Sequence, residues 1–127
     1  MELSNLLTVD DHDAGAECNI VSPIDGKKTD VYILIAGADS AAWRKQKRKQ
    51  TSEIMSSTRS KKDVSLDYDK MDIEAVVEIT LGWRGIVSNG NDYPYNKENA
   101  LALYSKSPGI VNQLLDFIAN KRNFIKG

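Results

Sequence analysis

Disulfide, imidazole and membrane chemistry are all thinly provided for in this sequence. Cys18 is the only cysteine, so no internal disulfide can form, and the chain fits a reducing compartment. His12 is the only histidine, which leaves little for acid–base catalysis or for the commonest metal ligand. No stretch approaches the roughly 20 apolar residues of a membrane-spanning helix. The opening "MELSNLLTVDDHDAGAE" is acidic where a secretory leader is basic, so a cytoplasmic protein is expected. An excess of either charge is missing too. The 17 basic and 18 acidic side chains give a formal net charge of −1, and bulk electrostatics neither recruits nor repels nucleic acid.

Catalytic motifs are equally scarce. There is no phosphate-binding loop, dinucleotide fingerprint or nucleophile elbow, and the glycines of "GWRG" are wrongly spaced for the first two. Asp10, Asp11, His12 and Asp13 offer metal-ligand atoms but lack the glycine turn and distal glutamate of a calcium loop. His12 reads as a solvated residue of a mobile N-terminal arm, residues 1–15, and Cys18 as an unreactive thiol. No metal or other cofactor is expected, and the chain reads as a non-enzyme because no base and nucleophile are paired.

The 127 residues are one domain's worth, and they predict an α+β fold. A β-hairpin is expected from Asn19-Ile20-Val21 and Val31-Tyr32-Ile33-Leu34-Ile35 around a turn at Asp25-Gly26, either alone or within a small antiparallel sheet. Both faces of the second arm are apolar, with Val31, Ile33 and Ile35 on one side and Tyr32 and Leu34 on the other. Pro23 assigns the first arm to a sheet edge or a bulge. A mainly helical region of about four helices follows. The first is capped by Asp39 or Ser40 and is polar in its middle, and residues 56–69 read as a loop. Ile73, Val76, Val77, Thr80 and Trp83 form one face of a second helix that runs to about Leu81, with Gly82 and Gly85 at its exit. Asn96 caps a third helix carrying Leu101 and Tyr104 inward. Ser107-Pro108 starts a fourth that buries Val111, Leu114, Leu115, Ile118 and Ile125.

Two stretches carry candidate binding residues. "RKQKRK" places Arg44, Lys45, Lys47, Arg48 and Lys49 on a helix, either as a solvated face or as a dock for an acidic partner or phosphate backbone. Against DNA stand the acidic remainder of the chain and the lack of a recognition-helix pattern. Trp83, Arg84, Tyr93 and Tyr95 cluster at a break between helices, and these residue types are enriched in binding hot spots. Trp83 is equally readable as core.

The order "VYILIAGADSAAWRKQKRK", "LGWRGI", "NGNDYPYNKENALALY" and "PGIVNQLLDFIANKRNFI" resembles the tail assembly chaperones of long-tailed bacteriophages. In that family a GW.G turn, a polar loop, a Y...NA..L segment and a last helix ending in..NF recur in the same sequence. The resemblance covers residues 20–127. It implies a non-enzymatic morphogenesis factor that binds the tape measure protein, brings tail tube subunits to it, and leaves before the virion matures. It also implies a bacterial host's cytoplasm as the place of action, a homo-oligomer, and a longer frameshifted form of the chain. On this reading Val31, Ile33 and Ile35 support self-association, while Trp83 to Tyr95 and Arg44 to Lys49 meet protein partners. Neither nucleic acid nor membrane is expected as a partner. The alternative is a small phage-encoded nucleic-acid-binding regulator that uses the basic helix 44–49.

Overall fold

The computed structural model describes residues 1–59 and 68–125. A 3₁₀ turn, Leu3–Leu6, leads to α1, Val9–Ala14. Strands β1, Ala16–Val21, and β2, Lys28–Ile35, follow, and then α2, Ala41–Arg59. Helix α3, Tyr68–Ile79, runs without a break into β3, Thr80–Arg84. A tight hairpin, β4 Val87–Ser88 and β5 Asn91–Asp92, precedes α4, Lys97–Lys106, and α5, Pro108–Ala119. A second 3₁₀ turn, Lys121–Phe124, closes the described chain. The architecture is α+β: an antiparallel sheet of order β1-β2-β3 with helices against it.

The hairpin forms where alternation and turn chemistry placed it. Gly26 takes φ +73°, and Ser22 N–H donates to the Lys27 carbonyl at 2.8 Å. Strand β1 is one edge of the sheet and also carries an irregularity between Asn19 and Val21. Its free side is closed at one point by α5, because the Gln113 amide donates to Val21 O and accepts from Val21 N, both at 2.8 Å. One side-chain amide thus occupies backbone groups that another strand would need.

The core packs the inner sheet residues Cys18, Ile20, Ile33 and Ile35 against Val76 and Ile79 of α3 and Leu114 of α5. Ile33 and Ile35 are 0% exposed, so two of the three residues expected to mediate self-association are used up inside the protomer. Val31 is partly buried. Tyr104 is fully buried as expected, but Leu101 is exposed. The terminal apolar position of the core is Phe124 rather than Ile125, because the 3₁₀ turn rotates the chain after α5.

Two helices differ from their periodicity. Helix α2 packs through its polar middle: Gln46 and Gln50 are buried, and Gln50 Nε2 donates to the Met71 carbonyl of α3 at 2.7 Å. Ser40 caps this helix, its hydroxyl accepting from Trp43 N–H at 3.1 Å. Helix α3 stops at Ile79, so Trp83 belongs to a strand and not to the helical face that its spacing suggested. Thr80 is β-branched and Gly82 is a poor helix former, and the four β2 pairings Tyr32↔Arg84, Ile33↔Trp83, Leu34↔Gly82 and Ile35↔Thr80 outweigh continuation of the helix. Gly85 therefore ends a strand. It takes φ +89°, and a Cβ there would overlap the Asp30 carbonyl oxygen. The expected loop at residues 56–69 falls largely on 60–67, outside the described residues.

Candidate functional site

Trp83 lies on β3 opposite Ile33, on the core side of the sheet. The chain returns to it through β4 and β5, whose turn is Asn89-Gly90 with φ +53° and +82°. Two consecutive left-handed residues suit a two-residue hairpin, and Asn-Gly is the dipeptide that tolerates them best. The return lays Tyr93 parallel to Trp83 at 6.0 Å between ring centroids and sets Tyr95 edge-on at 5.2 Å. Trp83 Nε1 donates to the Tyr93 carbonyl at 2.8 Å, and the Tyr95 hydroxyl donates to the Thr80 carbonyl at 2.7 Å. Asn99 Nδ2 donates to the Pro94 carbonyl at 2.9 Å, tying the segment to α4, whose cap is Asn96. These three aromatics are half-buried and hydrogen-bonded, so they clamp residues 93–95 onto β3.

Arg84, the fourth hot-spot candidate, does not join them. As the strand neighbour of Trp83 it projects from the opposite, outer face of the sheet. Its guanidinium lies over the Tyr32 ring at 4.0 Å, and Nη2 donates to Glu17 Oε2 at 2.9 Å. Arg84 and Glu17 side chains are 63% and 48% exposed, so the pair adds little stability but does fix the fork. Beside it is a hollow of about 260 Å³ lined by Glu17, Tyr32, Leu34, Gly82, Trp83 and Arg84. A Cβ on Gly82 would meet nothing within 4 Å, so glycine leaves the hollow open without any packing need for it.

The basic block forms a second, separate surface. Arg44, Lys45, Lys47, Arg48 and Lys49 are all exposed on α2. Among the described residues none of the five takes part in an ion pair. Lys47 Nζ sits 4.7 Å from the Trp43 ring, and Arg44 Nε donates to the Ser40 carbonyl at 3.3 Å. Lys47, Arg48, Thr51, Ser52, Met55 and Ser56 line a hollow of about 420 Å³. Among the described residues the Arg84 side chain bonds and stacks only with Glu17 and Tyr32, away from this surface.

A third group departs from the expectation of a solvated, mobile arm. His12 is 0% exposed, not solvated. Its Nδ1 accepts from Asp39 N–H at 2.9 Å, its ring stacks on Phe124 at 4.9 Å, and Gly37 is a glycine because a Cβ would run into the imidazole. Nε2 has no hydrogen-bond partner and lies 3.7 Å from Asp39 Oδ2. The Asp39 carboxylate accepts from the Thr8 hydroxyl at 2.6 Å and from Lys121 Nζ at 3.0 Å. The Thr8 hydrogen bond, then that of Lys121, holds the Asp39 carboxyl below its usual range. The cluster ties α1, the turn before α2 and the final 3₁₀ turn together. The signal was legible: Asp10 and Asp11 suit a helix start, and Gly15 at φ +79° its end. Burial pushes the Cys18 thiol up to about 11, so it is no nucleophile near neutrality. Among the described residues no group of three His, Cys, Asp or Glu side chains could hold a metal ion, and no helix is long and apolar enough to cross a membrane.

Residues 36–125 match the family model described as YdaY prophage protein, a span of well over half the chain. No curated protein and no solved structure matches it.

Proposed function

The chain belongs to the YdaY prophage protein family, and from that premise we propose that it is a tail assembly chaperone. On this reading it keeps the tape measure protein soluble and helps recruit tail tube subunits, without catalysing a reaction. The observation that carries the reading is the outer sheet face. A glycine leaves a hollow open between Tyr32 and Leu34, and Arg84 is pre-set beside it by Glu17 and the Tyr32 ring. Aromatic and arginine groups held in one geometry lose little entropy on docking, which suits recognition of apolar side chains on an elongated client. The order of motifs from the GWRG strand to the last helix supports the same reading.

Expression of a phage tape measure protein with and without the chain tests it. The wild type should keep the client soluble. The double variant Tyr32→Ala/Arg84→Ala should keep its fold and lose client affinity by about tenfold or more. Full solubilisation by that variant would remove the outer face from the account. The exposed cations of α2, which form no ion pair among the described residues, favour a second reading, a nucleic-acid-binding regulator. That reading predicts retention on DNA that weakens steeply with salt.

A further inference from the structure

Charge is segregated along this nearly neutral chain. The first 26 residues hold six acidic side chains and neither lysine nor arginine, whereas residues 44–49 hold five cations. The acidic end is also apolar on its surface. A 3₁₀ turn has three residues per turn, so Leu3 and Leu6 share one side, and they are 68% and 59% exposed, with Leu7 beside them at 63%. The α2 surface is complementary in both respects. Lys47 and Arg48 line a hollow together with Met55, which is 49% exposed, and Arg44 lies one helical turn before them on α2.

Within one molecule the acidic segment is fixed at the start of α2, whereas the hollow lies further along that helix. Asp13 Oδ1 accepts from Ala41 N–H at 2.8 Å, and Thr8 and His12 both bond Asp39, so the acidic segment is anchored at the first turn of α2. From there Lys47 to Ser56, which bound the hollow, lie roughly 9 to 22 Å along the helix axis at about 1.5 Å per residue. Among the described residues neither Asp10 nor Asp11 forms an ion pair with α2.

We propose that the basic face of α2 docks the acidic, leucine-bearing N-terminal segment of a second copy of this chain. Asp10 and Asp11 would meet Arg44, Lys47 and Arg48, and Leu3 and Leu6 would cover Met55. The two patches differ, so the interface is head-to-tail and a pair of copies keeps one free patch of each kind, one on each copy. Such contacts propagate into a ring or an open helix. This assigns self-association to surfaces that the core does not consume, and it does not depend on the client being a tape measure protein.

Sedimentation velocity of the full chain tests it. The wild type should associate with concentration, and the association should weaken from about 50 to about 500 mM salt, where the Debye length falls severalfold. Lys47→Glu/Arg48→Glu and, separately, Asp10→Lys/Asp11→Lys should each weaken self-association at least about tenfold while circular dichroism and thermal unfolding stay close to wild type. Mixing the two variants should restore it, because each then offers the patch that the other needs. Leu3→Ser/Leu6→Ser, on residues already exposed, should weaken association without unfolding the chain. A monomer at all concentrations up to about 200 μM overturns the proposal. So does association that neither charge reversal alters, or a mixture of the two variants that stays monomeric. A chain that remains monomeric yet is retained on DNA through Lys47 and Arg48 overturns it in favour of phosphate binding.

Discussion

Asp39 is held by more groups than any other carboxylate described. The Thr8 hydroxyl, Lys121 and the buried His12 ring surround it, and its backbone N–H donates to His12. Its folded-state pKa lies below its unfolded value, so its contribution is present above the ordinary carboxylate range and is lost as pH falls through the folded value. Urea unfolding of wild type and Asp39→Asn should therefore differ most near neutrality and converge in acid. Cys18 offers a second check at this scale. With its thiol pushed up to about 11 and its side chain in the core, it should resist alkylation in the native state near pH 8 and react once urea unfolds the chain. Rapid native labelling would contradict its placement between β1 and the helices. Composition showed that one histidine and one cysteine were present, but not that both are buried. Burial of His12 depends on Phe124 and Gly37, far apart in sequence.

At the scale of elements, local chemistry was readable where one element settles its own fate. Alternation gave the β1–β2 hairpin, Asn96 gave the start of α4, and Ser107-Pro108 gave the start of α5, although the Ser107 hydroxyl makes no capping bond. It failed where a distant partner decides. Residues 80–84 fit the helical period, yet β2 was already presenting an open ladder, and pairing with it turned the segment into a strand. The Asn-Gly hairpin at 89–90 lies inside what the sequence presents as a break between helices, although Asn-Gly is the dipeptide that best suits a two-residue hairpin. The polar middle of α2 was legible as polar, but not as the face that packs on α3 through Gln50. Gln113 is the element-scale residue most open to test. Gln113→Ala would strip both hydrogen bonds from Val21 and bare the edge of β1, at a cost of roughly 1–3 kcal/mol in urea unfolding. A change within about 0.3 kcal/mol would show that water replaces the amide at no penalty.

For the molecule as a whole, the site residues divide by what they touch. Trp83, Tyr93 and Tyr95 bind the chain to itself, whereas Arg84, with Tyr32, and the cations of α2 face outward. Sequence named Arg84 but could not tell that it parts company with Trp83, because strand alternation separates neighbours that a helix break would have kept together. Tyr32 and Leu34 were legible as the second apolar face of their strand, and that face lines the hollow beside Arg84. The account rests on the claim that this prophage protein acts by covering other proteins during tail assembly. Electron microscopy of particles from an induced lysogen with the gene deleted tests that claim most directly. Filled heads without tails, restored by the wild-type gene supplied in trans, are the result predicted here. Particles with tails of normal length and number in the deletion strain would contradict it.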